Sequence, residues 1–544
     1  MSYDPSPTYP LVSGHVEVGY DALAAHVVRT RPSVLALDGR RTVPWEPVIG
    51  AFGRALAAAG VSSEAVRAPL PEAELERHIA AARLQGDPVF ARLLGTSLAD
   101  LFTEPPGPIV SANAELTLVY GPGSALVPHD ELWLLDHPKR VALAAAPNDE
   151  QRLFFADWPL YDRHARSLAS GLDKYVDLEE PGRPRSVAGA ALRATLSDVA
   201  GRPFRTRPAF LPGPWGGQWL RGELGIATEA DNLAWSYELI APEAGLLLGS
   251  DETVEVGFEL LLGLEVETIL GTTVADQFEG SFPIRFDYLD TLGGGHLSIQ
   301  CHPTPAYASE VFGLPYTQHE TYYVVETSPG ATIYLGLRED ADVADLRTEA
   351  EHAAGDGIAF EPETYVQVHP AEQHQLYSVP AGTVHASGAG SAVLEISATP
   401  YLYTLRFYDW LRRGLDGELR AVHLEHAFAN LDQARRGAAV AAELIREPVE
   451  VRAGDGWTEL DLRTPDELFY AVHRLDFDDD VRDDTAGRCH VLCLVAGSEV
   501  ELDTERGAHP LSYGETIVVP ASVGPYRLRR VRGEPCKAIK AFVR

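Results

Sequence analysis

The chain has 544 residues, of which 45% are hydrophobic, and its formal net charge is −34. At about 150 residues per domain, this length predicts three or four domains with ample cores. A surface this acidic repels nucleic acids and anionic membranes, and we therefore expect neither as a partner. We attribute the net charge chiefly to a need for solubility. No apolar run approaches the roughly 20 residues of a membrane span, and the first residues lack a signal-peptide pattern. We therefore expect a cytoplasmic protein.

The first part of the chain, residues 1–204, has the pattern of an α/β domain. Short apolar runs that end in turn residues predict buried strands at 32–39, 117–123 and 132–136. Between them, apolar residues at helical spacing predict helices at 45–59 and 75–84. Strands that alternate with helices favour a parallel sheet. The polar stretch 161–207 is interpreted as the end of this domain and a connection.

This region resembles the nucleoside- and uridine-kinase-like P-loop fold. In that fold, a Gly-rich loop ending in Gly-Lys-Ser/Thr follows the first strand, but here Arg40-Arg41-Thr42-Val43-Pro44-Trp45 follows Asp38-Gly39. The phosphate-binding lysine and the glycine-rich backbone cradle are both missing. We therefore expect a structural or regulatory relic without a working ATP site.

From residue 205 onward, many short strand-like runs separated by Gly, Pro and Asp predict β-barrels or jelly rolls. We assign 205–430 to a first barrel and 431–544 to a second, separated by a helical stretch near 424–443. The second block repeats the texture of the first without a matching set of His and Glu, so we expect it to be a metal-free companion. The expected fold class is thus a degenerate kinase-like α/β domain followed by two jelly-roll barrels.

Four cysteines are too few for a disulfide framework in a chain of this length. We interpret them as small buried residues of strands rather than as ligands of a zinc knuckle. They are Cys301, Cys489, Cys493 and Cys536.

Four polar residues of the first barrel form a candidate metal site. Gln300 and His302 stand at i and i+2 on a predicted strand, so their side chains point to the same face. Glu320 lies in a β-rich run, and a Pro-x-Gly-x-x-His turn directs His385 into the sheet. Two imidazoles with an amide and a carboxylate suit a divalent metal. The alternative is that these are core polar residues satisfied by hydrogen bonds.

Three other histidines, His319, His369 and His374, lie near the candidate ligands in the sequence. No motif supports them as ligands, and we expect them at the surface.

Several motifs across 205–544 resemble, in the same order, those of the type I mannose-6-phosphate isomerases, which belong to the cupin superfamily. Leu297-Ser298-Ile299-Gln300-Cys301-His302-Pro303 is similar to the Leu-Ser-Ile-Gln-Val-His-Pro of that family, and Val379 to His385 matches its Val-Pro-Ala-Gly-Thr-x-His. The other matches are Pro214-Trp215-Gly216-Gly217, Glu320, Arg406-Phe407-Tyr408-Asp409-Trp410 and Arg420-Ala421-Val422-His423.

The resemblance implies an aldose–ketose isomerase that uses one divalent metal, zinc being the first choice, and passes through a cis-enediol. It implies Gln300, His302, Glu320 and His385 as ligands. Arg406 would polarise the carbonyl or hold an anionic group, and its alternative role is a salt bridge to Glu395 or Asp409. Glu395 and Trp215 would line the substrate pocket. The general base is not identified.

One departure from the family lies just before the metal motif. Where the family has Lys in a Pro-x-x-x-Lys-x-Leu run, this chain has Asp287 in Pro283-Ile284-Arg285-Phe286-Asp287-Tyr288-Leu289. A charge reversal in a site for an anionic substrate is costly unless the pocket changes as well. Arg285, two residues away on the same strand face, is a candidate to compensate. Phosphate recognition and the identity of the sugar therefore stay open.

Two other classes of function remain open. One is a non-catalytic carbohydrate-binding or regulatory protein, which Asp287 and the missing P-loop lysine favour. The other is a different cupin chemistry, such as epimerisation or metal-dependent oxidation. In each case the partner is a small-molecule sugar or sugar phosphate, and a homodimer is neither required nor excluded by the sequence.

Overall fold

The computed structural model describes residues 3–146, 149–398, 403–414 and 417–544. These residues fall into two compact units, neither of which is a single stretch of chain. One unit, here called the α/β unit, consists of Ser6–Gly201 and Gly245–Val266. The other, here called the β unit, consists of Met1–Pro5, Arg202–Ala244 and Glu267–Arg544.

A seven-stranded sheet forms the centre of the α/β unit. Five neighbouring strands are parallel, which confirms the sheet type predicted from alternating strands and helices. In sheet order the strands are Glu17–Val18, Arg185–Ala188, Lys174–Asp177, Glu131–Asp136, Val34–Gly39, Leu116–Tyr120 and Ser63–Arg67. The main helices are Tyr20–Thr30, Trp45–Ala58, Glu72–Ala82, Lys139–Ala145, Trp158–Leu168 and Gly189–Ala200.

Residues 161–207 hold more regular structure than the predicted connection. Two of the seven strands and the Gly189–Ala200 helix lie there. The strands are only four residues long, and charged residues stand at their ends, so the sequence reads as polar. Lys174 is nonetheless buried, because its ammonium group donates to Glu17 at 2.6 Å.

The two arginines of the loop after Val34–Gly39 form ion pairs with aspartates of the same unit. Arg40 donates from Nε to Asp136 and from Nη2 to Asp162, both at 2.7 Å. Arg41 is held by Asp149 and Asp157 in the same way. Both arginines thus have carboxylate partners from the protein itself. Whether this unit is kinase-like stays a prediction.

A small sheet of the α/β unit contains a segment that is remote in sequence. The parallel pair Thr8–Tyr9 and Gly245–Gly249 continues into Thr253–Gly257. Glu255 anchors this hairpin, because its carboxylate accepts from Arg140 and its carbonyl from the Tyr175 hydroxyl. The Phe258–Leu270 helix follows directly.

Two pairs of antiparallel sheets make up most of the β unit, in agreement with the predicted all-β character. The first pair contains a six-stranded sheet with the order Leu376–Val379, His319–Thr327, Ser391–Ala398, Arg285–Asp290, Trp235–Leu239 and Ala209–Leu211. Its five-stranded partner has the order Val366–Pro370, Thr332–Leu337, His385–Ser387, Ile299–Cys301 and Leu405–Tyr408. We call this pair the first barrel.

The second pair, here called the second barrel, has a six-stranded and a four-stranded sheet. The six strands are Val449–Gly454, Trp457–Asp461, Tyr470–Phe477, Cys536–Val543, His490–Ala496 and Thr516–Val519. The four are Asp480–Asp484, Pro525–Arg532, Glu499–Thr504 and Gly507–Ser512. The longer helices of the β unit are Thr272–Gln277, Val343–Asp356, Leu424–Asn430 and Ala438–Leu444.

The two barrels contact each other through buried polar groups. Tyr470 of the second barrel donates its hydroxyl to the carbonyl of Ile396 at 2.8 Å, on the strand that carries Glu395. All four cysteines are buried and unpaired, as predicted. Among the described residues, no helix is both long and apolar enough to cross a bilayer.

A lysine lies among the carboxylates inside the second barrel. The ammonium group of Lys540 contacts Glu459 at 2.7 Å and Asp483 at 2.6 Å, and all three side chains are almost fully buried. Burial acts to raise the pKa of Asp483, but Lys540 holds it below its ordinary value. The ammonium group therefore neutralises charge that would otherwise be costly to bury.

Replacing this lysine should destabilise the protein. We expect Lys540→Met to lower the free energy of unfolding by about 3 kcal/mol, because two buried carboxylates lose their buried cation and keep only the partly exposed Arg452. Lys537→Met on the same strand removes a half-exposed pair with Asp476 and should cost about 1 kcal/mol or less. Equal losses for the two variants in urea titrations would contradict this account.

Candidate metal centre

The candidate ligands come from both sheets of the first barrel, and His302 lies one residue beyond the end of the Ile299–Cys301 strand. Gln300 is the cross-strand neighbour of His385 on one side and of Arg406 on the other. The turn before His385 needs its glycine, because Gly382 has a φ of +84° and an added Cβ would lie 2.8 Å from the Asn430 carbonyl oxygen. Glu320 belongs to the opposing six-stranded sheet.

Two histidines share one carboxylate at this site. Nε2 of His302 lies 2.9 Å from Oε1 of Glu320, and Nε2 of His385 lies 3.3 Å from Oε2. All three side chains are at most 2% exposed. This group of ligand atoms is compact enough to hold one metal ion.

The other ring nitrogen of each histidine faces a backbone carbonyl. Nδ1 of His302 lies 3.1 Å from the carbonyl oxygen of Tyr403, and Nδ1 of His385 lies 2.9 Å from that of Thr383. Because a carbonyl only accepts, each Nδ1 carries a proton, so in the neutral ring the lone pair belongs to Nε2, on the side of Glu320. Among the described residues, Nε2 of His302 and Oε2 of Glu320 have no hydrogen-bond partner although both are buried. Two imidazole nitrogens and a carboxylate this close together fit a divalent cation.

The electrostatics of Glu320 agree with a cation site. Burial alone would raise the pKa of its carboxyl, but the imidazoles of His302 and His385, in their protonated form, hold the pKa well below its ordinary value. A divalent cation bound by neutral imidazoles would act in the same direction. Glu320 is therefore an ionised carboxylate at neutral pH, which is the form that binds a metal.

Gln300 lies beside the three residues. Its Oε1 accepts from the Ser298 hydroxyl at 2.8 Å, and its Nε2 lies 3.4 Å from Nε2 of His385. Its amide would have to turn to present Oε1 to a metal. Gln300 as the fourth ligand stays a prediction.

Sequence reasoning missed Gln318. Its side chain is 2% exposed and donates from Nε2 to Oε1 of Glu320, and its Oε1 accepts from the backbone N–H of Tyr403 at 3.4 Å. Gln318 and Glu320 stand at i and i+2, which is the same signal that linked Gln300 with His302.

A second buried group on the six-stranded sheet comprises Arg285, Asp287 and Glu395, here called the Arg285 cluster. Nη2 of Arg285 lies 3.4 Å from Asp287 and 3.8 Å from Glu395. Asp287 and Glu395 are cross-strand neighbours. The structure thus brings together three of the four residues assigned to substrate binding.

Burial dominates the titration of both carboxyl groups in this cluster. It raises the pKa of Asp287 to about 7, although the Arg285 guanidinium acts in the opposite direction. Burial, reinforced by the charges of Asp287 and Glu320, raises the pKa of Glu395 well above its ordinary value. Near neutral pH, at least one of the two groups therefore carries a proton.

Arg406 does not form the salt bridge that was its alternative role. Its Nη1 donates to the carbonyl of Ala421 at 3.1 Å, and among the described residues it has no ion pair with Glu395 or Asp409. The carboxylate of Asp409 is instead taken by Arg420 at 2.5 Å and by Arg412 at 3.4 Å. Burial, together with the charges of Arg420 and Arg412, lowers the pKa of Arg406 to about 10, so it stays cationic at neutral pH.

The three other histidines near the candidate ligands and Trp215 are all at least partly buried. His319 is 6% exposed, and its Nδ1 accepts from the N–H of Ala381, so its expected surface position is wrong. His369 and His374 are half-buried. Trp215 is buried, its ring packs edge-to-face against Trp235 and its carbonyl accepts from Gly295, and its assignment to the substrate pocket stays a prediction.

Residues 19–201 match a family described as a domain of unknown function (DUF8485). The chain is also similar to a mannose-6-phosphate isomerase of Streptococcus mutans serotype c (strain ATCC 700610 / UA159), with 26% identity over 311 residues, which is 57% of this chain and 89% of that protein. A mannose-6-phosphate isomerase ManA of Bacillus subtilis (strain 168) is 31% identical over 150 residues, covering 27% of this chain and 44% of the relative.

Two solved structures with a similar fold over part of the chain are also named as isomerases. The crystal structure of the mannose 6-phosphate isomerase from Bacillus subtilis covers 62% of this chain and 99% of its own, with 20% sequence identity and a TM-score of 0.48. A putative mannosephosphate isomerase from Archaeoglobus fulgidus covers 63% and 98%, with 17% identity and a TM-score of 0.49.

We expect the purified protein to hold about one divalent metal ion per chain through the paired histidines. His385→Ala and His302→Ala should each reduce the metal content at least tenfold, because each change removes one of three ligands. His352→Ala, which alters an exposed helical histidine, is the matched control. Mass spectrometry of the metal after dialysis measures the effect, and full retention of metal by both ligand variants would contradict the assignment.

Proposed function

We propose that the protein is a metal-dependent aldose–ketose isomerase of the mannose-6-phosphate isomerase type, acting on mannose 6-phosphate or a related sugar. The observation that carries the proposal is the sharing of buried Glu320 by His302 and His385, with the Nε2 atom of each ring close to the carboxylate. The similarity to relatives named as mannose-6-phosphate isomerases supports the same reaction.

A divalent metal, zinc being our first choice, would supply Lewis-acid stabilisation of the negative charge that develops on the sugar oxygens at C1 and C2. His302, Glu320 and His385 would hold it, with Gln300 as the proposed fourth ligand. Gln318 would keep the Glu320 carboxylate oriented through its hydrogen bond.

The remaining groups would move protons and fix the sugar. Isomerisation through a cis-enediol needs a group that takes a proton from one carbon and returns it to the next. Glu395 is our candidate, because its raised pKa lets it hold a proton near neutral pH. Arg406, the cross-strand neighbour of Gln300, would donate to the carbonyl oxygen.

We assign the reaction to the barrel within 205–430. The proposal treats 431–544 as a companion barrel that supports it through contacts such as Tyr470 to Ile396. Residues 1–204 take no part in the proposed chemistry.

The test is an isomerisation assay on protein reloaded with zinc, manganese or magnesium, with mannose and mannose 6-phosphate as substrates. We expect turnover that is lost with chelator, restored with metal and absent in His385→Ala. His352→Ala should retain it. Unchanged turnover in His385→Ala would refute the proposal.

We expect Glu395→Gln to lower kcat by on the order of 10²–10⁴-fold while the metal content stays near one per chain. The amide keeps the shape of the side chain but cannot accept and return a proton. Glu372→Gln, at an exposed position, is the control for an unspecific loss. A kcat within threefold of the parent would exclude Glu395 as the proton carrier.

The second candidate is carbohydrate binding without turnover. Asp287 favours it, because the related isomerases carry a lysine at the corresponding place. It predicts saturable sugar binding by the metal-loaded protein in calorimetry, with no isomerisation across a panel of aldoses and ketoses.

A further inference from the structure

Two rows of side chains cross the six-stranded sheet of the first barrel on the face that carries Glu320. Cross-strand pairing defines both rows, and the second stands two residues further along each strand. Because side chains alternate between the faces of a sheet, both rows project from the same face. The first row contains Arg285, Ser397 and Glu320, and the second contains Tyr237, Asp287, Glu395 and Tyr322.

Carboxyl groups outnumber cations on this face. Asp287 and Glu395 are direct neighbours, so their Cβ atoms lie about 5 Å apart. Arg285 is their shared ion-pair partner, and Glu320 adds a third carboxylate in the adjacent row. A phosphate dianion placed here would have a single guanidinium as its counter-charge, and Asp287 and Glu395 already share that guanidinium.

The guanidinium group of Arg285 has unused donors. Its Nε and Nη1 atoms are buried and, within the described part of the chain, have no hydrogen-bond partner. Side chains buried to this extent normally satisfy their polar atoms with protein, water or a ligand. The side chain is 3% exposed, and Nη2 is the atom near Asp287 and Glu395.

The Arg285 cluster therefore offers donors and acceptors side by side. A sugar hydroxyl both donates and accepts, so it can bridge a guanidinium N–H and a carboxyl oxygen at once. A phosphate dianion only accepts, and it would leave the acceptors of Asp287 and Glu395 unmatched.

Arg406 is the other cation on the inner faces of the first barrel that the sequence singled out. It belongs to the opposing five-stranded sheet, beside Gln300, and one of its donors already serves the Ala421 carbonyl. We assign it to the reacting carbonyl oxygen, so it does not offset the carboxyl groups of the Arg285 cluster.

We propose that the Arg285 cluster binds the hydroxyl groups of an uncharged sugar, so that the substrate of the metal centre is an aldose or ketose without a phosphate group. The inference rests on the proposed isomerase function and narrows its substrate class. Asp287 is the specificity-determining residue, because its carboxyl group lies directly beside Glu395 and takes up the Arg285 guanidinium that would otherwise be available to an anion.

The experiment compares kcat/KM for mannose and for mannose 6-phosphate, using the metal-loaded full-length protein. We expect the parent protein to favour the free sugar at least tenfold. Asp287→Lys should shift the ratio at least tenfold towards the phosphate, chiefly through KM, because a cation replaces a carboxyl group. Asp340→Lys, at an exposed position, makes the same charge change and should leave the ratio unaltered.

Asp287→Asn serves if the lysine variant does not fold, and it should shift the ratio in the same direction by about threefold. A parent protein that prefers the 6-phosphate would overturn the inference and leave the isomerase function intact. An unchanged ratio in folded Asp287 variants would also overturn it. If metal-loaded protein turns over neither sugar, nor other aldoses with or without phosphate, the isomerase function itself fails and the inference falls with it.

Discussion

The ionised carboxylate of Glu320, buried between two imidazoles, is the constraint on which the first barrel depends. A carboxylate at 2% exposure is unfavourable unless positive charge or hydrogen bonds compensate it. His302 and His385 approach it from the opposing sheet, and Gln318 donates to it from its own strand. Both imidazoles give their Nδ1 protons to backbone carbonyls, so neutral rings cannot also supply a proton at Nε2. A divalent cation bound between the neutral rings and the carboxylate would resolve this conflict, so the proposed metal site has support from burial and geometry as well as from the motif.

The same sheet carries a second buried polar cluster, in which the carboxyl pKa values are raised rather than lowered. In the Arg285 cluster, one guanidinium faces two carboxyl groups, and burial raises the pKa of both. Such groups are suited to hold protons and to share hydrogen bonds with hydroxyl groups. Glu320 and Arg285 stand in one row of this face and Asp287 and Glu395 in the next, so a sugar bound at the proposed metal would lie near both carboxyl groups. In our proposal, the two-residue period of the strands thus links the metal chemistry at one row with the selection of substrate at the next.

Local patterns predicted the elements well where the pattern was strong. The run ending in Asp38-Gly39, the amphipathic helix from Trp45 and the alternation of Gln300 with His302 all depend on near neighbours in the chain. The strand Lys174–Asp177 was not predicted within the polar stretch 161–207. Its buried lysine is stabilised by Glu17, which is remote in sequence. The hairpin at 245–257 belongs to the α/β unit for a similar reason, since Glu255 finds its partners at Arg140 and Tyr175. The i, i+2 spacing of Gln318 and Glu320 was visible in the sequence but was overlooked. The pairing of Arg285 with Glu395, in contrast, could be found only from the strand register of the folded sheet.

The most direct test of the central claim is a titration of metal-free protein with zinc, followed by calorimetry and by thermal unfolding. The account predicts one tight site per chain and a rise of several degrees in the melting temperature, because a ligand that binds only the folded state stabilises it. Both effects should vanish in Glu320→Gln, which keeps the shape of the side chain and removes its charge. Undiminished zinc binding by Glu320→Gln, or an unaltered melting temperature of the parent protein at saturating zinc, would contradict the account.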